Sequence, residues 1–400
     1  MSVADQGTPR NPWRMLAVLA IAEFLGMSLW FGANAVAPEL RQQWGLTASQ
    51  SGWLTAVVQV GFVLGTATAA VLNLADVLPS RIFFAIAAFL AAIANAALLV
   101  VPAYGGALAL RLLTGFFLAG VYPPAMKMTA TWFQARRGLA IGILVAALTI
   151  GKATPYLVKA FDLGAAEVLL VASTGALGAA MIVLFGFHEG PFPFPRRTFS
   201  WGLAATVLRH RPTRLATAGY LGHMWELYAM WTWIPAFLLA STTSHGSPES
   251  ARFVDVAAFL SIAAGGAGCV WGGWLAGRWG YERVVTVSMA VSGILSVTIG
   301  LAFGSSMWVL LPMTMLWGFF IVADSAQFSA LITEVTPAHA VGTALTIQTS
   351  LGFLLTMVTI QLVPLLAGAI GWRWSFAVLA IGPALGIAAI QRLRPGVAKD

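Results

Sequence analysis

The 400-residue chain is poor in charge: only 9% of its residues are Asp, Glu, Lys or Arg, and a single cysteine, Cys269, excludes an intrachain disulfide. Soluble domains carry about 25% charged residues, so a body of this size with so few charges cannot cover itself against water. Its five histidines (His188, His210, His223, His245 and His339) are scattered without metal-ligand spacing, and no Ser or Cys sits in a nucleophile-elbow pattern. Gly151-Lys152-Ala153 lacks the upstream Gly and the following Ser or Thr of a phosphate loop. These absences point away from an enzyme and from any cofactor or metal. The polar start, Met1 to Arg14, runs into an apolar segment without a small-residue cleavage site, so no cleaved signal peptide is expected.

What is present in excess is apolar surface, 59% of all residues. A membrane-spanning helix needs about 20 mostly apolar residues to cross a core ~30 Å thick. Twelve such segments are expected, near 15–37, 50–74, 82–101, 107–132, 138–161, 165–187, 214–240, 253–276, 284–303, 307–332, 340–367 and 374–391. They lack the two-residue alternation of a barrel strand. The net charge of +8 invites a nucleic-acid reading, but the charges fall in short loops and follow membrane topology instead. With the N-terminus inside, fifteen Lys and Arg residues lie on the inner side, four (Arg41, Lys159, Arg252 and Arg373) on the outer side, and Arg111, Lys127 and Lys152 within spans. The positive-inside bias therefore predicts cytoplasmic N- and C-termini in a bacterial-type inner membrane.

The segment 188–213, rich in Pro and Arg, divides the chain into residues 1–187 and 214–400, each with six expected spans. Internal echoes support a duplication. Glu23, Met27 and Trp30 recur as Glu226, Met230 and Trp233; Leu74-Ala75 as Leu275-Ala276; Gly138-x-Ala140 as Gly342-x-Ala344. The offsets are nearly constant, as parallel transporter repeats produce. The expected architecture is an all-α membrane protein of twelve transmembrane helices arranged as two six-helix bundles.

Further marks sit in the loops and helices of that frame. Leu74-Ala75-Asp76 with Arg81, its second copy Gly273-Trp274-Leu275-Ala276-Gly277-Arg278-Trp279-Gly280, and Arg111-x3-Gly115 in the fourth span together resemble the major facilitator superfamily. Tyr122-Pro123-Pro124-Ala125-Met126-Lys127 and Ala323-Asp324-Ser325-Ala326-Gln327-Phe328 are similar to bacterial members grouped with nitrate/nitrite and cyanate porters. The chain departs from nitrate porters in having Gln59 where helix two carries an arginine, no basic residue in helix eight, and no glycine-dense signature in helices five and eleven. It has half of the drug-antiporter element, Gly142 and Gly151. The resemblance implies alternating access in a functional monomer, with helices one, four, seven and ten lining a central cavity. It also implies a conformational latch of Asp76, Arg81 and Arg278, in which the carboxylate caps a neighbouring helix end.

Ionisable groups within the spans are costly to insert, about 2.5–3.5 kcal/mol at the bilayer centre, and mark functional sites. Counting at 1.5 Å per residue places Glu23, His223 and Glu226 near mid-membrane and Lys127 and Asp324 toward the cytoplasmic third. Glu23 and Glu226 are candidate proton carriers, or carboxylates fixed by hydrogen bonds or ion pairs. Arg111 and Lys127 are candidates to attract an anion, with helix bracing open for Arg111 and a gate pair with Asp324 open for Lys127. Lys152 is too deep to snorkel and is read as cavity-facing. His223 shares a helix face with Glu226; Gln327 completes the candidate set. Trp30, Trp225, Trp231 and Trp233 are candidates to stack on an organic solute, or packing residues.

The expectation is a proton-linked secondary transporter of a small anionic or carboxylated solute. Efflux of lipophilic or cationic compounds is the alternative, and a non-transporting receptor with a transporter-like fold, its interior charges mutually paired, is the reading from another class.

Overall fold

The computed structural model describes residues 11–134, 136–192, 201–244, 251–337 and 339–393. Twelve helical spans cross it: α1 (Pro12–Met27), α2 (Ala48–Val71), α3 (Ser80–Val100), α4 (Tyr104–Ala130), α5 (Arg137–Lys159) and α6 (Ala165–Gly186), then α7 (Arg211–Ser244), α8 (Ala251–Trp279), α9 (Tyr281–Ala302), α10 (Met307–Val335), α11 (Val341–Ile370) and α12 (Trp372–Ile390). Ten are long and apolar enough to cross a membrane by themselves. The exceptions are α1, which stops after 16 residues, and α7, whose 34 residues carry the polar groups of the site described below. Helix starts follow capping chemistry. Asn11 Oδ1 accepts from Trp13 N at 2.9 Å with Pro12 in the first position, and Thr47 with Gln50 forms a reciprocal capping box at the start of α2. Stripes of exposed apolar side chains at helical spacing, such as Ile86, Phe89 and Ile93 on α3 or Leu351, Leu354 and Val358 on α11, face outward toward lipid.

Four of the described spans are interrupted, the twelfth by a turn at Phe376 and a 3-10 segment at Ala377–Ala380. The expected first span, 15–37, is helical only to Met27; the chain then turns through Ser28–Phe31 before short helices at Gly32–Ala35 and Ala37–Trp44. The fourth breaks between Leu118 and Tyr122, where Pro123 and Pro124 remove the amides that would continue the ladder. The tenth breaks at Asp324, between Ala323 and Ser325, without a proline. Between the halves, part of segment 188–213 is itself helical (Trp201–Arg209), and α7 begins at Arg211.

The packing repeats. In the first half α1 packs on α5 and α6, α2 on α4, and α3 on α4 and α6; in the second, α7 packs on α11 and α12, α8 on α10, and α9 on α10 and α12. These are the same contacts under exchange of halves. The halves meet through α5 with α8 and α2 with α11, which exchange under the same operation. Along α5 and α8 the backbones touch: a Cβ on Gly142 would lie 2.8 Å from the Cys269 carbonyl oxygen, and one on Gly273 2.9 Å from that of Gly138. No larger residue fits these positions without parting the halves.

Candidate functional site

The break in α1 creates the first feature of the interior. Where the helix stops, the carbonyls of Leu29 and Trp30 lose their intrahelical donors and require others. Arg111, fully buried on α4, supplies them: Nη1 donates to Leu29 O at 3.0 Å, Nη2 to Trp30 O, and Nε to Leu54 O of α2 at 3.2 Å. Its guanidinium is thus engaged by three backbone oxygens, which fixes α1, α2 and α4 to one another and sets the Trp30 ring in the interior.

Opposite that ring stands Lys152. Fifteen residues into α5, its side chain is buried, and its ammonium lies 4.0 Å from the centroid of Trp30, 4.8 Å from Tyr228 and 5.4 Å from Trp231. Its Nζ donates to the Tyr228 hydroxyl at 2.5 Å. Three aromatic rings around an ammonium form a cation–π box. Two walls come from α7 and one from the α1 break, so the box straddles the two halves. Glu23 of α1 is within electrostatic reach of Lys152 and is fully buried, and neither of its oxygens has a hydrogen-bond partner among the described residues. Tyr122, at the start of the second segment of α4, is within the same reach of Glu23 and of Tyr220.

The second half holds its charges differently. Glu226 is buried on α7 and fully hydrogen-bonded: Trp317 Nε1 of α10 donates to Oε1 at 2.6 Å and Ser292 Oγ of α9 to Oε2 at 2.8 Å. One turn earlier on α7, His223 Nδ1 lies 2.8 Å from Asp324 Oδ1, and its Nε2 lies 2.9 Å from Ser325 Oγ. Both partners stand at the α10 break, so His223 ties α7 to the point where α10 bends. Although His223 and Glu226 share a face, each turns to different partners. Gln327, one turn beyond Asp324, donates to Ala323 O at 3.3 Å and leaves its Oε1 without a partner among the described residues. Gln59 of α2 is fully buried with neither amide atom partnered among them.

The halves are closed on each other from mid-depth to the end of the molecule at which α1 terminates. Trp30 packs against Tyr228 and Phe353 at 5.6 Å, Phe31 against Trp231 at 6.1 Å and Phe62 against Phe353 at 4.6 Å. Ser49 of α2 donates to Gln361 of α11 at 2.7 Å at that end.

The structure thus sets Glu23 within electrostatic reach of Lys152 and pairs His223 with Asp324, while Glu226 is held separately by Trp317 and Ser292. It sets Arg111 apart as a brace. Lys127 is half-buried near the end of α4. Of the expected latch, Arg81 is exposed at the start of α3, Arg278 stacks 4.1 Å over Trp274, and the Asp76 side chain lies outside the described residues. Trp225 and Trp233 give their indole N–H groups to Val378 O and Ile360 O, as packing residues do, whereas Trp30 and Trp231 line the box. Tyr228, Ser292 and Trp317 went unnoticed in the sequence. Tyr228 had a signal: it sits at the midpoint of α7, while membrane tyrosines usually gather at the interfaces.

The sequence profile of the Major Facilitator Superfamily matches the chain twice, over residues 19–267 and 219–399. The chain is 23% identical over 407 aligned positions to the hexuronate transporter of Escherichia coli strain K12, covering 94% of this chain and 92% of that one. It is 27% identical over 330 positions to the probable sulfoacetate transporter SauU of Cupriavidus necator, covering 75% and 72%. Among solved structures it superposes on a bacterial homologue of the human lysosomal transporter Spinster, in the inward-facing and unoccupied conformation, with a TM-score of 0.72 at 14% identity. That match covers 96% of this chain and 98% of the other. The occupied inward-facing form of that homologue gives the same TM-score at 15% identity.

Proposed function

Because the chain belongs to the major facilitator superfamily, we propose that it is a proton-linked secondary transporter of a small anionic solute whose anionic head is met by Lys152. The observation that carries this reading is the Lys152 ammonium, which is buried at the junction of the halves with a tyrosine hydroxyl as its hydrogen-bond acceptor. No carboxylate lies within ion-pair distance of it among the described residues. A buried cation without a close counter-ion is costly, and an incoming carboxylate or sulfonate offsets that cost. The hexuronate and sulfoacetate named for two of its relatives are both anions.

Glu23 is the group placed to carry the coupled proton. A carboxylate without donors, in reach of an ammonium that the solute will neutralise, needs a proton when that ammonium is engaged elsewhere. Its lack of hydrogen-bond partners among the described residues also weighs against a silent receptor, in which the interior charges would be mutually satisfied. The two halves, residues 1–187 and 214–400 joined by 188–213, rock about the α5–α8 and α2–α11 contacts. The arginine-rich ends face the cytoplasm, the termini with them, in a bacterial-type inner membrane; the working unit is the monomer.

One observation favours a second reading. The aromatic box already holds an ammonium group, so a lipophilic cation would fit it if Lys152 withdrew. A thermal-shift screen of the purified protein in detergent separates the two, using small carboxylates, sulfonates and lipophilic cations. A ligand at 100 times its dissociation constant stabilises the fold by about 2.7 kcal/mol. Stabilisation by anions that disappears in Lys152→Ala is the expected result; stabilisation by lipophilic cations alone overturns the anion reading.

A further inference from the structure

Lys152 belongs to the first half of the molecule, and the oxygen that accepts its hydrogen bond belongs to the second. An ammonium has three N–H donors, and among the described residues the one oxygen that holds this one across the junction is the Tyr228 hydroxyl. The Tyr228 ring is held in turn by its neighbours, with Trp231 at 5.3 Å, Phe353 at 5.4 Å and Trp30 at 5.6 Å. The hydroxyl therefore cannot follow Lys152 if the lysine moves toward another acceptor. This arrangement is a polar tie between the halves, built from one cation and one neutral oxygen, inside a closed aromatic seam.

An oxyanion outcompetes a phenol for an ammonium, because hydrogen bonds between two ionised groups are the stronger ones. A solute arriving with a carboxylate or sulfonate draws the Lys152 ammonium toward itself, and the fixed Tyr228 hydroxyl, unable to follow, is left behind. The tie is then undone by the charge of the solute, and a neutral solute of the same shape leaves it intact. We propose that Tyr228 is a specificity-determining residue of the transport cycle: it holds the Lys152 ammonium in the solute-free protein and yields it to the anionic head of the solute, which frees the halves to rock. This rests on the anion reading above and adds to it a residue, a competitor for the site and a reason for charge selectivity.

The test uses the full-length protein in proteoliposomes with glucuronate and sulfoacetate as probes, comparing wild type, Tyr228→Phe and Lys152→Ala. Phenylalanine keeps the ring and removes only the competing oxygen. The expected result is a KM lowered about tenfold, the order set by one hydrogen bond to a charged group, together with a reduced maximal rate. In parallel, spin labels at Gln43→Cys and Gly368→Cys, in a Cys269→Ser background, report the separation of the halves. They should show the spread seen with probe in wild type already present without probe in Tyr228→Phe. A merely structural role for the tyrosine gives a KM that is unchanged or raised, and unaltered distances, and overturns the inference. If Lys152→Ala responds to the probes as wild type does, or wild type responds to neither, the anion reading itself fails. If Lys152→Ala loses the response while Tyr228→Phe matches wild type, the anion reading stands and this inference alone falls.

Discussion

Replacing Arg111 separates bracing from binding. In Arg111→Ala the carbonyls of Leu29 and Trp30 lose their donors in a site closed to solvent, while Leu54, inside α2, keeps its intrahelical donor. Each buried oxygen left unsatisfied costs about 1–3 kcal/mol; allowing water into the vacated space to recover part of it, the net loss is roughly 2–4 kcal/mol. At about 2.1 cal/mol/K of unfolding entropy per residue, a chain of 400 residues should lose roughly 2–5 °C in Tm. Arg111→Lys keeps the charge, but a single ammonium reaches one of the two orphaned carbonyls well, so about half of that loss should remain. Unfolding followed by intrinsic tryptophan fluorescence in detergent measures both variants. The same scan with glucuronate and sulfoacetate shows whether either still responds to anion. Bracing predicts a destabilised Arg111→Lys that keeps its response to anions. An Arg111→Lys variant with wild-type Tm and no response to any anion would refute the bracing argument and make Arg111 a solute ligand.

Two further predictions concern the buried carboxylates. Glu23→Gln should abolish flux driven by a pH gradient while solute counterflow, which needs no net proton movement, persists; unchanged pH-driven uptake in proteoliposomes removes Glu23 from the coupling step. Glu226→Gln should unfold close to wild type, because a glutamine oxygen can still accept from Trp317 and its amide can donate to Ser292, whose hydroxyl turns to the Met289 carbonyl 3.3 Å away. Glu226→Ala leaves the Trp317 and Ser292 donors unpaired and should cost about 2–4 kcal/mol, read as a lower Tm; equal stability of the two variants contradicts the network drawn around Glu226.

The span pattern was legible because it rests on one-dimensional quantities. Length, hydropathy and the distribution of arginine placed the helix ends within a few residues almost everywhere. Interruptions were harder. Pro123-Pro124 could have marked the α4 break, but α10 breaks at Asp324 with no residue that forbids a helix, and α1 breaks where only the Arg111 guanidinium makes the exposed carbonyls tolerable. Depths of the buried charges followed from counting residues, while their partners depend on how helices far apart in sequence are rotated against each other. Asp324, weighed as a partner of Lys127, has His223 of α7 beside it. Lys152 was read as cavity-facing from its depth, yet the aromatic box needs the α1 break, α5 and α7 at once, and no local pattern announces that convergence.

The duplicated scaffold makes the unequal distribution of charge informative. Glu23 and Glu226 sit at the same place in the two repeats, offset by 203 residues, so each half retains a buried carboxylate on its first helix. The cations have no such counterpart. At that offset Arg111 corresponds to Thr314, whose hydroxyl donates to the Leu311 carbonyl, and at the offset of 204 that relates the starts of α5 and α11 Lys152 corresponds to Thr356, which bonds to Phe353 O. Both threonines donate within their own helices, and Thr314 also accepts from Ser261 of α8 in the same half, so neither is bonded to the other half. Among the described residues, buried positive charge is thus confined to the first repeat, and the second repeat answers it at the junction with aromatic faces and a hydroxyl rather than a carboxylate. A carboxylate in place of Tyr228 would have formed a full ion pair with Lys152, one that an incoming anion would displace only at the cost of leaving a like charge buried beside it. A neutral acceptor holds the lysine weakly enough to release it, which is the condition a site must meet if the charge of its solute is to drive the change of state.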